Sequence, residues 1–433
     1  MYTYSRYNHL IENGNNYLLY NLATEEIMAL QPDIAELLIQ NKDCITKLSS
    51  IHPSLYEILI SKSFIVSSAI NEVERLIQFW KKEDKNPCYF SLIIIPTLNC
   101  NLQCWYCYEK HEKRTNMKPD ILARIKRLLN QKICNKDLKE IHLDFFGGEP
   151  LLGFNKITLD ILQFANTLCN IENKNLTIHF TTNATLLNNT MIDLLENLNR
   201  PISFQITLDG NKEMHDAVRH TKTGKSTFHI IINNIKLLLQ KHFPVNVRLN
   251  YTSNNIYSFA DLDNEFKDLS MDEKKLLEFT FQQVWQDHEI HELSKEEEKM
   301  ITWFREKNYR TNLPSQYISR RCYADFDNNV IINYNGDIFK CTARDFDPKI
   351  AEGKLSENGE LCYNEKFYRR MSLKFGSSYC QNCSIYPICH NGCSQHIIES
   401  NNIDNHCPYN YSDKKKEEII RGRLKLILTN INY

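Results

Sequence analysis

Three cysteines, Cys100, Cys104 and Cys107, stand in the stretch CNLQCWYC, directly after the apolar run FSLIIIPT. Their spacing is C-x3-C-x2-C. A structural zinc site takes four ligands, and this loop offers three. Cubane [4Fe–4S] clusters are held by cysteine thiolates, normally four. Three thiolates leave one iron open to a substrate or cofactor, as catalytic zinc sites keep an open position. The bland alternative is a zinc knuckle short of a ligand, or three packed thiols. FFGGEPLL carries Gly147, Gly148, Glu149 and Pro150: glycines allow close backbone approach to a ligand, and a carboxylate suits an ammonium. QITLDGNKEMHDAVRH carries Thr207, Asp209, His215 and Arg219, and a guanidinium pairs bidentately with a carboxylate. A second cysteine set, Cys322, Cys341, Cys380, Cys383, Cys389, Cys393 and Cys407, crowds the last quarter of the chain.

The elements that must position these residues follow from periodicity. Strand-like runs YFSLIII, IHLDFF, LTIHFTT, ISFQITL, VNVRLNY and LEFTFQQV alternate with helical patterns such as ILARIKRLLNQKI and FHIIINNIKLLLQKH. Six βα units imply a parallel sheet, curved as a partial (β/α)6 barrel. In such barrels chemistry sits on loops at the C-terminal strand ends. CNLQCWYC follows the first run, GGEP the second, and Asn183 and Asn250 end the third and fifth. Residues 1–85 read as small β plus α, with a hairpin in YNHLIENGNNYLLYNL and helices from QPDIAELLIQNKD, HPSLYEILISKSF and NEVERLIQFWKK. From about residue 312 the regularity fades, and DKKKEEIIRGRLKLILTNI reads as one closing helix. Its lysine run is balanced by Glu417 and Glu418 and reads as a solvated face.

The totals set bounds. The chain has 433 residues, net charge −1 and 42% hydrophobic residues, so two to four domains with sizeable cores are expected. No basic field recruits nucleic acid, no apolar run spans a bilayer, and no signal peptide opens the chain. A cytoplasmic location is expected. Thiols stay reduced there, so 15 cysteines call for metal or redox chemistry.

With Tyr106 between its last two cysteines, the loop resembles that of the radical S-adenosylmethionine (SAM) enzymes. The resemblance implies a cluster held by Cys100, Cys104 and Cys107. Its open iron would chelate the amino and carboxylate groups of SAM, and reductive cleavage would give a 5′-deoxyadenosyl radical that abstracts hydrogen. It assigns SAM contacts to Tyr106, Gly147, Gly148, Glu149, Pro150, Thr207 and Arg219. Asn183 and Asn250 are candidates, and Val284 could pack against adenine. Asp209 and His215 would hold their loop. Cys322-x13-Gly336-x4-Cys341, then Cys380-x2-Cys383-x5-Cys389-x3-Cys393, then Cys407 is similar to the seven-cysteine SPASM domain of radical SAM peptide maturases. That implies two auxiliary [4Fe–4S] clusters, three clusters in all: an outer one on Cys380, Cys383, Cys389 and Cys407, and an inner one on Cys322, Cys341 and Cys393. Only three ligands are evident for the inner cluster, with Cys362 as the nearest unassigned thiol.

The expected division is a winged-helix-like leader-recognition module (1–85), a radical SAM core (86–311) and a SPASM domain (312–433). The expected partners are a precursor peptide with its leader and a reductase, flavodoxin or ferredoxin as electron donor, with no nucleic acid and no membrane. The expected reaction is hydrogen abstraction from a ribosomally made peptide, followed by thioether or carbon–carbon cross-linking. Peptide epimerisation is one alternative. Another is sulfatase maturation, weakened because Thr342 follows Cys341 where those enzymes place a catalytic aspartate. The third is a zinc-loaded, non-catalytic peptide-binding scaffold.

Overall fold

The computed structural model describes residues 1–111, 115–287, 293–312, 321–400 and 407–431. They form two compact units. One comprises Asn86–Ser315 with Asp327–Tyr368; the other comprises Met1–Lys85, Gln316–Phe326 and Arg369–Tyr433.

In the first unit six parallel strands lie side by side in chain order: β1 (Tyr89–Ile94), β2 (Glu140–Phe145), β3 (Asn175–Thr182), β4 (Ile202–Leu208), β5 (Val245–Tyr251) and β6 (Leu277–Gln283). They are the six runs expected from periodicity, and the α/β parallel-sheet class holds. A parallel sheet covered by helices on both faces reads as continuous apolar sequence. β1 does so, whereas β2 to β6 largely alternate. One set of positions, including Leu143, Ile178, Phe204, Val247 and Phe279, packs into a single core with the helices Pro119–Ile133, Leu159–Ile171 and Phe228–Gln240. Phe145, Phe180 and Phe204 stack across β2, β3 and β4, with centroids 5.1 and 5.3 Å apart; such pairs add about 0.5–1.5 kcal/mol beyond burial. The alternate positions are polar and pair across strands. His142 Nδ1 meets Thr177 Oγ1 at 2.9 Å, and His179 Nδ1 meets Ser203 Oγ at 2.8 Å. That polar inner face ends at the loops that carry the site.

The sheet does not stop at β6. Asn329–Ile332 pairs parallel to β1 on its free edge, and the short strands Asp337–Phe339, Gly353–Leu355 and Leu361–Tyr363 follow antiparallel. Gly336 makes the first return possible. Its φ is +83°, and Asn333 N donates to Asp337 O at 2.9 Å across the turn. The Gly-x4-Cys spacing is thus a turn plus a short strand that ends just before Cys341.

In the second unit a three-stranded antiparallel sheet (Asn8–Asn13, Asn16–Asn21, Ile27–Leu30) is followed by helices Pro32–Asn41, Pro53–Ser61 and Glu72–Asp84. Two of these helices begin with proline, which fits the first turn because its missing N–H is not needed there. Tyr7, Trp80, Tyr386, Ile388, Ile420 and Leu424 share one apolar core with Cys380. The closing helix, Asp413–Ile431, contributes to it. Trp80 lies edge-on to Tyr386 at 5.2 Å and to His390 at 4.8 Å. Buried Asp84 receives Lys374 at 3.1 Å and also pairs with Arg321. Among the described residues no helix is long and apolar enough to cross a membrane.

Candidate functional site

In the first unit the loop after β1 and the ends of β2 to β6 enclose a cleft. Cys100, Cys104 and Cys107 line it together with Tyr106, Gly147, Gly148, Asn183, Thr207, Arg219, Asn250 and Val284. These residues lie far apart in sequence, from Cys100 to Val284, and the strand ends bring them to one place. Glu149 and Pro150 do not line the cleft. Glu149 is fully buried, and its carboxylate accepts from Thr182 Oγ1 at 2.7 Å, Asn183 N at 2.8 Å and Leu151 N at 3.0 Å. It ties the end of β2 to the end of β3. At this turn the backbone of Gly147 and Gly148 is what faces the cleft.

Both glycines are demanded by the cysteine loop itself. A Cβ on Gly147 would sit 2.6 Å from Thr97 O, and one on Gly148 would sit 2.3 Å from Asn99 O. Gly147 also has φ +115°. The GGEP turn is therefore pressed against the root of CNLQCWYC, and Glu149 N donates to Asn99 O at 2.8 Å.

Tyr106 anchors the far side. Its hydroxyl donates to Asp209 Oδ1 at 2.7 Å and accepts from Arg219 Nη1 and Asn250 Nδ2, each at 3.0 Å. The phenol is saturated, so the loop is pinned to the ends of β4 and β5. Arg219 Nη1 lies 3.7 Å from Asp209 Oδ2. Burial raises the Asp209 carboxyl to about 6, with Arg219 and Tyr106 holding it from going higher. His215 is fully buried. Asp209 N donates to its Nδ1 at 3.4 Å, and its Nε2 meets Thr227 Oγ1 at 3.2 Å. Asp209 and His215 hold the loop that presents Arg219.

Two tests of fit for the expected cofactors come from the chain itself. Arg219 Nε and Gln283 Nε2 are buried donors without a hydrogen-bond partner among the described residues. Buried donors are ordinarily paired, so these suit a ligand acceptor such as a carboxylate. The thiols are the second test. Burial pushes Cys100 and Cys107 up to about 12 and raises Cys104 as well. Bare thiolates would be costly here, while metal coordination deprotonates a thiol outright. Cys100 Sγ already accepts from Leu102 N at 3.4 Å and from Asn183 Nδ2 at 3.8 Å, the kind of hydrogen bond that tunes a cluster.

The tail cysteines divide between the units. Cys341 belongs to the first, and Ala343 N donates to its Sγ at 3.4 Å. Cys322, Cys380, Cys383, Cys389, Cys393 and Cys407 belong to the second. There the outer set shares one neighbourhood. Burial pushes the Cys389 thiol up to about 12, and Cys383, Cys380 and Cys407 add to it. Cys380 is raised by burial, then lowered by Ser377, then raised by Cys407 and Cys383. Cys362 is exposed on the Leu361–Tyr363 strand of the first unit.

Further residues that line the cleft include Glu109, Gln205, Arg248, Gln283 and Trp285. Gln205 and Arg248 occupy polar positions of the alternating strands, and that alternation was the available signal. Glu109 directly follows CWYCY. Burial, then the neighbouring Asp345, lifts its carboxyl to about 8, and Oε2 has no hydrogen-bond partner among the described residues. Trp285 is half exposed, stacks on Tyr108 at 5.9 Å and carries Arg344 at 5.4 Å.

Residues 94–269 match the model of the radical SAM superfamily. A cysteine-type anaerobic sulfatase-maturating enzyme of Clostridium novyi (strain NT) is 24% identical over 340 residues, 70% of this chain and 87% of that protein. The radical SAM cyclopropyl synthase TigE of Paramaledivibacter caminithermalis is 23% identical over 245 residues, 49% of this chain and 51% of that protein. Among solved structures, anSMEcpe with bound AdoMet superposes with TM-score 0.61 at 20% identity, covering 79% of this chain and 99% of that one. Streptococcus suis SuiB bound to precursor peptide SuiA superposes with TM-score 0.53 at 17% identity, covering 96% and 99%. At these identities the superpositions speak to fold, and the matched segment carries the cysteine loop, GGEP and Arg219. The chain thus contains a radical SAM domain over residues 94–269.

Proposed function

We propose that this enzyme modifies a ribosomally made precursor peptide, joining two of its atoms by a thioether or carbon–carbon bond after hydrogen abstraction. The observation that carries the proposal is the cleft. It is lined by three cysteines and by buried donors that have no hydrogen-bond partner among the described residues, with the polar strand face behind them. Cys100, Cys104 and Cys107 would hold a [4Fe–4S] cluster. Gly147, Gly148, Thr207, Arg219 and Asn250 would hold SAM, and Val284 would cover its adenine. SAM, when bound and reduced, supplies the radical. The chain's own residues bind it, orient it and exclude water. Cys380, Cys383, Cys389 and Cys407 would hold an outer auxiliary cluster. Cys322, Cys341 and Cys393 would serve an inner one, making three clusters.

Residues 1–85 support a leader-recognition role. Their three-stranded sheet followed by helices could accept a leader as an added strand, with backbone hydrogen bonds giving affinity. The solved relative with a bound precursor peptide supports a peptide substrate. A flavodoxin, ferredoxin or other reductase would supply the electron. The direct test is coexpression with a short peptide gene taken from beside this one. Each cross-link removes a pair of hydrogens, so the expected product is lighter by that pair. An unchanged peptide mass, with the clusters loaded, contradicts the proposal.

Sulfatase maturation is the second reading, favoured by the curated relative. It needs a base, and Thr342 follows Cys341. Glu109 is a cleft carboxyl that could serve instead. On that reading a sulfatase peptide gains formylglycine in the wild type and not in Glu109→Gln.

A further inference from the structure

The lysine run at the start of the closing helix departs from the expected solvated face at one residue. Lys416 sits in the first turn of Asp413–Ile431, and its side chain is only 12% exposed, against 35% for Lys415. A cation there opposes the helix dipole, which favours negative charge at a helix N-terminus. Lys416 nonetheless turns inward and lines a hollow with Cys383, Ser384 and Tyr379. Its protein partner is Asp413, at 2.9 Å, whose own side chain is fully exposed. A carboxylate that wet is partly screened, so it offsets the ammonium only in part. Lys416 and Cys383 also act on one another electrostatically, and Lys416 lowers the Cys380 thiol.

A cubane ligated by four thiolates is anionic, and reduction adds one more negative charge. A nearby ammonium favours the reduced form, and net charge around the cluster is a known lever on potential. We propose that Lys416 is a positioning charge that raises the reduction potential of the outer auxiliary cluster on Cys380, Cys383, Cys389 and Cys407. This rests on the tail binding iron–sulfur clusters as proposed above. The step concerned is one-electron reduction of that cluster, with the electron coming from the reductase or from the substrate radical.

The test is redox potentiometry followed by electron paramagnetic resonance on the full-length, anaerobically loaded chain. C100A, C104A and C107A are included so that the tail clusters give the signal. The expected result is that Lys416→Met moves one of the two midpoints to lower potential and leaves the other in place, while Lys416→Arg holds the wild-type value. Asp413→Asn removes the opposing charge and should move the same midpoint upward. Opposite shifts from neighbouring substitutions report charge rather than folding. Unmoved midpoints in both Lys416→Met and Asp413→Asn, with iron retained, overturn the inference and leave the cluster assignment standing. If Lys416→Met sheds its iron, the sign of the Asp413→Asn shift decides. A wild-type tail that holds no iron overturns the cluster assignment and this inference together.

Discussion

At the scale of single residues, Tyr106 and Arg219 do most to define the cleft. Tyr106 uses both lone pairs and its proton, so one phenol ties the cysteine loop to Asp209, Arg219 and Asn250. Arg219 spends Nη1 on that phenol, and its Nε has no hydrogen-bond partner among the described residues. Replacement by lysine keeps the charge and loses the planar fork. Arg219→Lys should therefore weaken SAM binding by about 10–100-fold, the worth of one charged hydrogen bond at about 1.5–3 kcal/mol. Equilibrium binding to the cluster-loaded protein measures this, and unchanged affinity would remove Arg219 from the SAM site. The three cysteines, Thr207 and Arg219 were legible in the sequence because each sits at fixed spacing in a short motif. Glu149 misled because spacing says nothing about direction: its carboxylate turns to Thr182 and Asn183. Glu109 and Gln283 escaped because a lone polar residue next to a motif has no periodic signature until the strands are in register.

At the scale of elements, the loop and helix from Asn211 to Thr227 present Arg219, and they hang on two titratable groups. Asp216 accepts from Ser226 Oγ at 2.6 Å, Thr227 N at 2.9 Å and Phe228 N at 3.0 Å. Burial alone would raise its pKa, but these bonds and Lys212 outweigh it and bring it from 3.8 to about 2. A carboxyl whose folded pKa is depressed stabilises the fold above its unfolded pKa, and the contribution disappears as pH falls between the two values. His215 is lowered to about 3, by burial and then by Arg219. A histidine held neutral likewise loses its contribution as pH drops from 6.5 toward 3. Stability should fall in two stretches, from about pH 6.5 downward through His215 and below about pH 4 through Asp216. Asp216→Asn should flatten the lower stretch alone. Thermal melts across pH check this, and a melt curve level from pH 7 to 3 contradicts it. The strands here were readable because alternation and length agree. The continuation of the sheet through Asn329–Tyr363 was not, because strands of three or four residues are too short to show a period.

At the scale of the molecule, residues 1–85 and Arg369–Tyr433, which carries five of the tail cysteines, lie in one unit and share one apolar core. The sequence placed them at opposite ends and gave no sign of this, since nothing in either segment's own pattern names a partner hundreds of residues away. Trp80 and Tyr7 come from one end; Tyr386 and Ile420 come from the other. Trp80→Ala should cost about 3–5 kcal/mol. Removing residues 1–85 should leave the tail without its core, so tail iron should be lost while the first unit keeps its cluster. Iron should fall from about twelve to about four per chain, as three cubanes become one. A truncated protein that keeps all its iron would show that the tail stands alone.

The most direct measurement is on anaerobically purified protein mixed with SAM and dithionite, assayed for 5′-deoxyadenosine with iron and sulfide counted in the same preparation. The expected result is 5′-deoxyadenosine and about twelve irons per chain, both lowered in Cys104→Ala. Zinc without sulfide, and no 5′-deoxyadenosine even with a candidate precursor peptide present, would contradict it.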